Sequence, residues 1–174
     1  MSETDCYNYA MDKKILSVLG AVINPLLLIV PWFLCGKDEI NVSGLFYLEK
    51  TTVYMHILYF YFLGYLLFCL YRHVPVYKWV LFGITSLTAV WIPYIEGTVS
   101  AGLHLLFSYS SFLLFGWIIV PLLIHNQKEQ QLFTAVLFTC VLLCVTAGKI
   151  TGSSEILFAW YVSAWCAHYR NIIG

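Results

Sequence analysis

Three ionisable side chains stand just inside apolar segments of this sequence, and they are its best candidates for chemistry. His56, His104 and Glu155 each follow the start of such a segment by about one turn or less, and Glu96 lies in the loop before His104. Ionisable groups are costly inside a membrane, so each one that occurs there is a functional hypothesis. We expect these four residues to line a polar layer that could bind a polar ligand.

The same four residues leave other interpretations open. Two imidazoles and two carboxylates could hold a divalent metal such as zinc, with water in an open position. A haem between His56 and His104 would be a variant of that site. The sequence has no HxxH, HExxH or HxxxH spacing, so metal ligands would have to come from separate helices. Interfacial side chains satisfied by internal hydrogen bonds are the structural alternative.

Six apolar segments must position these residues. Of the 174 residues, 61% are hydrophobic and 10% are charged, and a soluble domain of this size could not bury so much apolar surface. About 20 apolar residues span a membrane as a helix. We therefore predict an all-α membrane protein, a six-transmembrane-helix bundle that forms a single domain over residues 1–174. The spans are expected at 15–35, 52–70, 78–93, 103–124, 131–147 and 155–168.

The basic residues predict the orientation of this bundle. Cytoplasmic loops are enriched in Lys and Arg. Six of the nine fall on the side of the N-terminus and three on the other, which places both termini in the cytoplasm. The six are Lys13, Lys14, Arg72, Lys78, Lys128 and Arg170, and the three are Lys37, Lys50 and Lys149. Spans two, four and six then start on the outer face, where His56, His104 and Glu155 share one level. The polar start, Met1–Lys14, predicts a retained first span.

Three further features carry structural expectations. The first outer loop, 36–51, contains the apolar run Leu45-Phe46-Tyr47, which we expect to lie on the membrane interface. Cys140 and Cys144 are four residues apart and share a helix face. They fit small packing residues, with a redox or soft-metal pair as the alternative. Tyr59, in the second span, needs a hydrogen-bond partner inside the bundle or a wet cavity.

The string WIPYIEGTVSAGLHLLFSYSSF at Trp91–Phe112 resembles a pattern of the DRAM/Frag superfamily of six-span membrane proteins and its uncharacterised bacterial relatives. The residues that carry the resemblance are Pro93, His104, Ser108 and Phe112, with Gly152 and Glu155 at the last span. The resemblance implies six spans, cytoplasmic termini and an association with membrane lipids. Members are linked to lipid-anchor remodelling or membrane trafficking.

Three functions follow as hypotheses. The first is an integral membrane protein that binds a lipid or small amphiphile in an outward-facing polar pocket lined by His56, His104, Glu155 and Glu96. The second is a metal-assisted intramembrane hydrolase or acyl-transfer enzyme, with His104 as general base or metal ligand. The third is an accessory or self-assembling subunit, including a channel, of a membrane complex. Membrane lipids are the expected partners, with a homo-oligomer or larger complex as a further possibility. We expect no nucleic-acid partner, because the net charge is zero and the sequence has no basic patch with interleaved aromatic residues.

Overall fold

The structure is a computed structural model that describes residues 13–36, 42–123 and 126–173. Within these ranges every regular element is helical. Lys37 and most of the predicted polar start lie outside the described residues. The helices are α1 (Lys13–Cys35), α2 (Thr52–Leu70), α3 (Val76–Trp91), α4 (Val99–Leu123), α5 (Gln127–Ala147) and α6 (Gly152–Ile173), and a 3₁₀ helix, Ser43–Tyr47, precedes α2.

The all-helical fold class is confirmed over the described ranges, and four of the helices there are long and apolar enough to cross a membrane: α1, α2, α4 and α5. α3 is apolar but only 16 residues long. α6 has 22 residues and carries Glu155 and Arg170 in its first and last turns. The predicted bounds of the second span agree with α2, whereas α4 and α6 begin four and three residues before the spans predicted at 103 and 155.

Two compact units make up the chain. The first unit consists of Met1–Leu45 and Phe133–Gly174, and in it α1 packs against α6. The second unit is Phe46–Leu132, and in it α3 packs against α4. Large apolar side chains remain exposed on the helices, among them Val53 (71%), Leu113 (72%) and Val145 (71%). Such a surface is suited to lipid contact.

Pro25 disturbs α1, and a tryptophan of the same unit compensates. In a regular α-helix the amide of residue 25 would donate to the carbonyl of Ala21, but proline has no amide hydrogen. The chain forms a π-helical turn at Leu19–Ile23, directly before this point. Trp160 Nε1 of α6 donates to the Ala21 carbonyl over 3.0 Å. The helix thereby keeps a donor for a carbonyl that apolar surroundings could not satisfy.

Next to this contact, a buried polar pair joins the same two helices. Asn24 is fully buried, and its Nδ2 donates to Ser163 Oγ over 2.6 Å. Ser163 is itself only 2% exposed. The two hydrogen bonds lie three residues apart on each helix, so they fix the register of α1 against α6.

In the second unit, a side chain likewise donates to a carbonyl that a proline leaves without its amide donor. Pro121 removes the donor for the carbonyl of Trp117 in α4. Lys78 Nζ, from the first turn of α3, donates to that carbonyl over 3.2 Å. The same ammonium lies 4.2 Å from the centre of the Trp117 ring, which adds a cation–π contact.

Hydroxyl groups on the helices bond to their own backbone or to a neighbour. Thr85, Thr139 and Ser111 each donate to the carbonyl four residues earlier, at 2.7, 2.9 and 2.7 Å. Tyr59 of α2 lies 2.6 Å from Ser86 Oγ of α3, which confirms the expected internal partner of this tyrosine. These bonds let the helices carry polar side chains within an apolar surface.

We predict that Trp160→Phe lowers the free energy of unfolding by about 1–3 kcal/mol, because the Ala21 carbonyl loses its donor. The loss should shrink in a Pro25→Ala background, where residue 25 regains an amide hydrogen for that carbonyl. Unfolding in SDS-containing mixed micelles measures the double-mutant cycle. Equal losses in both backgrounds would contradict the assignment of Trp160 to the carbonyl freed by Pro25.

Gly152 starts α6 against the indole of Trp32, in the first unit. A Cβ at position 152 would overlap Nε1, Cε2 and Cζ2 of Trp32, whereas a Cβ at Gly116 in α4 would meet nothing within 4 Å. Gly152→Ala should therefore destabilise the protein by about 1–3 kcal/mol, since the indole must move. Gly116→Ala is the matched control and should be neutral or stabilising by up to about 1 kcal/mol. The same unfolding assay compares them, and equal stabilities would show that the indole yields without cost.

Candidate functional site

His104 is held by a backbone carbonyl. It stands in the second turn of α4, and its Nδ1 lies 2.7 Å from the carbonyl oxygen of Ile92. A carbonyl oxygen only accepts, so Nδ1 carries the hydrogen and donates it. In the neutral imidazole, Nε2 then keeps its lone pair and can accept a hydrogen bond from a ligand.

Tyr47, at the end of the 3₁₀ helix, contacts both the Ile92 carbonyl and His104. Its hydroxyl lies 3.0 Å from the carbonyl oxygen of Val90 and 2.9 Å from that of Ile92, at the C-terminal end of α3. The phenol oxygen is also 3.3 Å from His104 Nδ1. Burial raises the pKa of the Tyr47 hydroxyl above its ordinary value, so the group stays a neutral donor at physiological pH.

Tyr94 adds a third ring to this cluster. Its ring centre lies 5.9 Å from that of His104, and the Tyr47 ring centre lies 6.2 Å from that of His104. Tyr94 belongs to the turn between α3 and α4, which Gly97 completes with a φ of +76°. That turn also holds Glu96, which is exposed. We call Tyr47, Tyr94 and His104 the aromatic cluster.

His56 makes separate contacts in the second unit. Its Nδ1 lies 2.8 Å from the carbonyl oxygen of Thr52, one turn earlier in α2, and its ring meets that of Phe46 edge-on at 5.4 Å. In the described part of the chain no hydrogen bond or ring contact joins His56 to His104. Likewise, no hydrogen bond among the described residues links Glu96 to either histidine. The two histidines share a mode of anchoring, each leaving Nε2 available.

Glu155 belongs to the first unit, where it binds the start of the 3₁₀ helix. Its carboxylate accepts hydrogen bonds from the amide of Val42, from the amide of Ser43 at 3.4 Å and from Ser43 Oγ at 3.0 Å. Charge-assisted bonds of this kind are among the stronger hydrogen bonds in proteins. The carboxylate therefore holds the turn that leads into the 3₁₀ helix, and its part in ligand binding stays a prediction.

The described residues offer no metal site of the expected kind. Across 13–36, 42–123 and 126–173, no three side chains of His, Cys, Asp or Glu come together in a group that could hold an ion. Cys140 Sγ lies 3.5 Å from the carbonyl oxygen of Ser154, and Cys144 Sγ lies 3.2 Å from its hydroxyl. Both thiols thus meet one buried serine, which fits the packing interpretation of the pair.

The residues of the loop before α2 that contact the predicted site were not predicted from the sequence. The run Leu45-Phe46-Tyr47 was expected on the membrane interface, but Leu45 is fully buried. Phe46 and Tyr47 contact His56 and His104 within the second unit, and Ser43 contacts Glu155 within the first. The hydroxyls of Ser43 and Tyr47 could have indicated that this stretch packs against polar groups of the protein.

Comparison with known proteins finds no relative. No family model, no curated protein and no solved structure matches this chain. Its function is therefore inferred from its own residues.

We expect Glu155→Gln to destabilise the protein by about 1–3 kcal/mol, because the amide offers one acceptor oxygen to the donors of Val42 and Ser43 and turns an NH₂ group toward them. Glu49→Gln is the matched control, since Glu49 is an exposed carboxylate of the same loop. Unfolding in mixed micelles gives both values. A Glu155→Gln protein as stable as Glu49→Gln would argue against the anchoring of the loop by this carboxylate.

Proposed function

We propose that this chain is a multi-pass membrane protein that binds a lipid or small amphiphile at an outward-facing polar site around His104. The proposal includes six spans with both termini in the cytoplasm, and membership of the lipid-associated DRAM/Frag group. It places the site in the second unit, to which His56, His104 and Glu96 belong. Glu155, in the first unit, has its carboxylate occupied by donors of the loop.

The anchoring of His104 carries the proposal. Its Nδ1 donates to the Ile92 carbonyl and two tyrosine rings contact the imidazole, so that Nε2 is oriented without being used. The imidazole is half-buried and stands near the start of a helix that is long and apolar enough to cross a membrane. An oriented acceptor at such a position suits the polar head of an amphiphile whose chains lie along the helices.

The metal-enzyme alternative lacks a supporting observation in the described residues, because no three-residue ligand group occurs there. A general base also needs a substrate bond within reach. An accessory role would rest on exposed apolar helix faces, which lipid contact explains equally well. The lipid-binding hypothesis is therefore the one that the geometry of His104 supports best.

Native mass spectrometry of the purified protein, released from mild detergent, tests this function. We expect an adduct of lipid or amphiphile mass on the wild type, and an at least tenfold lower adduct fraction in His104→Ala, which removes the oriented acceptor. His168→Ala is the matched control, because His168 is an exposed imidazole in α6 of the first unit. Its adduct should equal that of the wild type.

Two results would contradict the proposal. An adduct that persists in His104→Ala would move the ligand away from this residue. A bare oligomer without any adduct would favour the self-assembling subunit, with the histidines as structural hydrogen-bonding groups.

A further inference from the structure

The two tyrosine rings of the aromatic cluster each meet the His104 ring edge-on. The Tyr47 ring makes an interplanar angle of 67° with the His104 ring, and the Tyr94 ring makes one of 70°. Rings at such angles leave more of their faces uncovered than stacked rings would, and we call these three rings the walls of the site. Tyr94 is 50% exposed and Tyr47 is 38% exposed, so parts of these walls are open to a ligand.

Two of the three walls are held in place before any ligand binds. The Tyr47 hydroxyl is fixed by the carbonyls of Val90 and Ile92, and His104 is fixed by Ile92. A site whose rings are already ordered loses little side-chain freedom on binding. This rigidity favours a ligand that contacts ring faces over one that must draw the hydroxyl or Nδ1 out of its hydrogen bonds.

The electrostatic surroundings of the cluster favour a cation. The carbonyl oxygens around the Tyr47 hydroxyl belong to the C-terminal end of α3, where the helix dipole places partial negative charge. Glu96 adds an exposed carboxylate two residues after Tyr94. The faces of tyrosine rings also carry negative potential.

Basic residues of the described second unit are mostly at the other end of the helices. Lys78 stands in the first turn of α3, about 20 Å along the helix from Ile92 at 1.5 Å per residue. Arg72 precedes α3 in the same turn region, and Lys128 follows the end of α4. Lys50 is the exception, and the neighbouring Glu49 balances its charge.

We infer that the cluster of Tyr47, Tyr94 and His104 binds an ammonium group, with Glu96 supplying the opposite charge. The inference rests on the proposed function and names its ligand class: the ammonium headgroup of a phospholipid, trimethylated as in choline or primary as in ethanolamine. Aromatic walls attract a trimethylammonium group through cation–π contacts. A primary ammonium would in addition donate to His104 Nε2.

Binding of short-chain phospholipids to the full-length protein in detergent tests the inference. Calorimetric titrations compare dihexanoyl phosphatidylcholine, phosphatidylethanolamine and phosphatidylglycerol, with choline chloride as the soluble amine. We expect the two ammonium lipids to bind at least tenfold more tightly than phosphatidylglycerol. Choline chloride that binds as tightly as the choline lipid would keep the ammonium site but assign it to a soluble amine.

Substitutions of Tyr94 test whether the ammonium lipids bind at the aromatic cluster. Tyr94→Leu should weaken the choline lipid about 3- to 30-fold, the range of a cation–π contact, while Tyr94→Phe keeps the ring and should bind like the wild type. Tyr109→Leu is the control, because Tyr109 is a 62% exposed tyrosine of α4 outside the cluster. Glu96→Gln should weaken both ammonium lipids and leave phosphatidylglycerol unchanged or slightly tighter.

The outcomes separate this inference from the proposed function. Equal binding of phosphatidylglycerol and the ammonium lipids, all lost in His104→Ala, would overturn the ammonium class and leave a lipid site at His104. Binding that is unchanged in Tyr94→Leu would also overturn the assignment of the ammonium group to the aromatic cluster. A wild-type protein that binds none of the lipids would contradict the proposed function itself.

Discussion

In an apolar environment a backbone carbonyl has no water to bond with, and this constraint explains two of the hydrogen bonds between helices. Pro25 and Pro121 each free a carbonyl, and in each unit a side chain from another helix donates to it. Trp160 and Lys78 therefore each supply the hydrogen-bond donor that a proline lacks. Threonine and serine hydroxyls also donate to backbone carbonyls, in this case to carbonyls of their own helix. These hydroxyls are thereby hydrogen-bonded within the protein.

The loop before α2 forms hydrogen bonds with groups at the ends of other helices. Two amides and a hydroxyl at Val42 and Ser43 converge on Glu155 in the first unit. In the second unit the Tyr47 hydroxyl meets carbonyls at the end of α3. Helix ends leave carbonyl and amide groups unpaired, and loops are their natural partners. The loop is thus part of the packed structure, which is why Leu45 is fully buried.

These structural bonds also shape the proposed site. Orienting His104 through Nδ1 leaves only Nε2 for a ligand, and fixing Tyr47 leaves only its ring face. The same carbonyls that anchor both side chains bring the negative end of α3 to the cluster. A ligand with a positive head and apolar chains matches both the cluster and the exposed apolar surface of the helices.

The sequence by itself determined the helical class, the approximate helix bounds and the placement of His56, His104 and Glu155 near helix starts, because apolar length and chain order are local properties. It did not determine the partners of those residues. Ser43 is 112 residues from Glu155, Tyr47 is 57 from His104, and Trp160 is 139 from Ala21. Hydrogen bonds form only within about 3.5 Å, and no local pattern records which distant groups meet at that range. The tertiary structure alone decided that Leu45 of the loop is buried and that two tyrosine rings contact His104, because these contacts depend on how each unit folds.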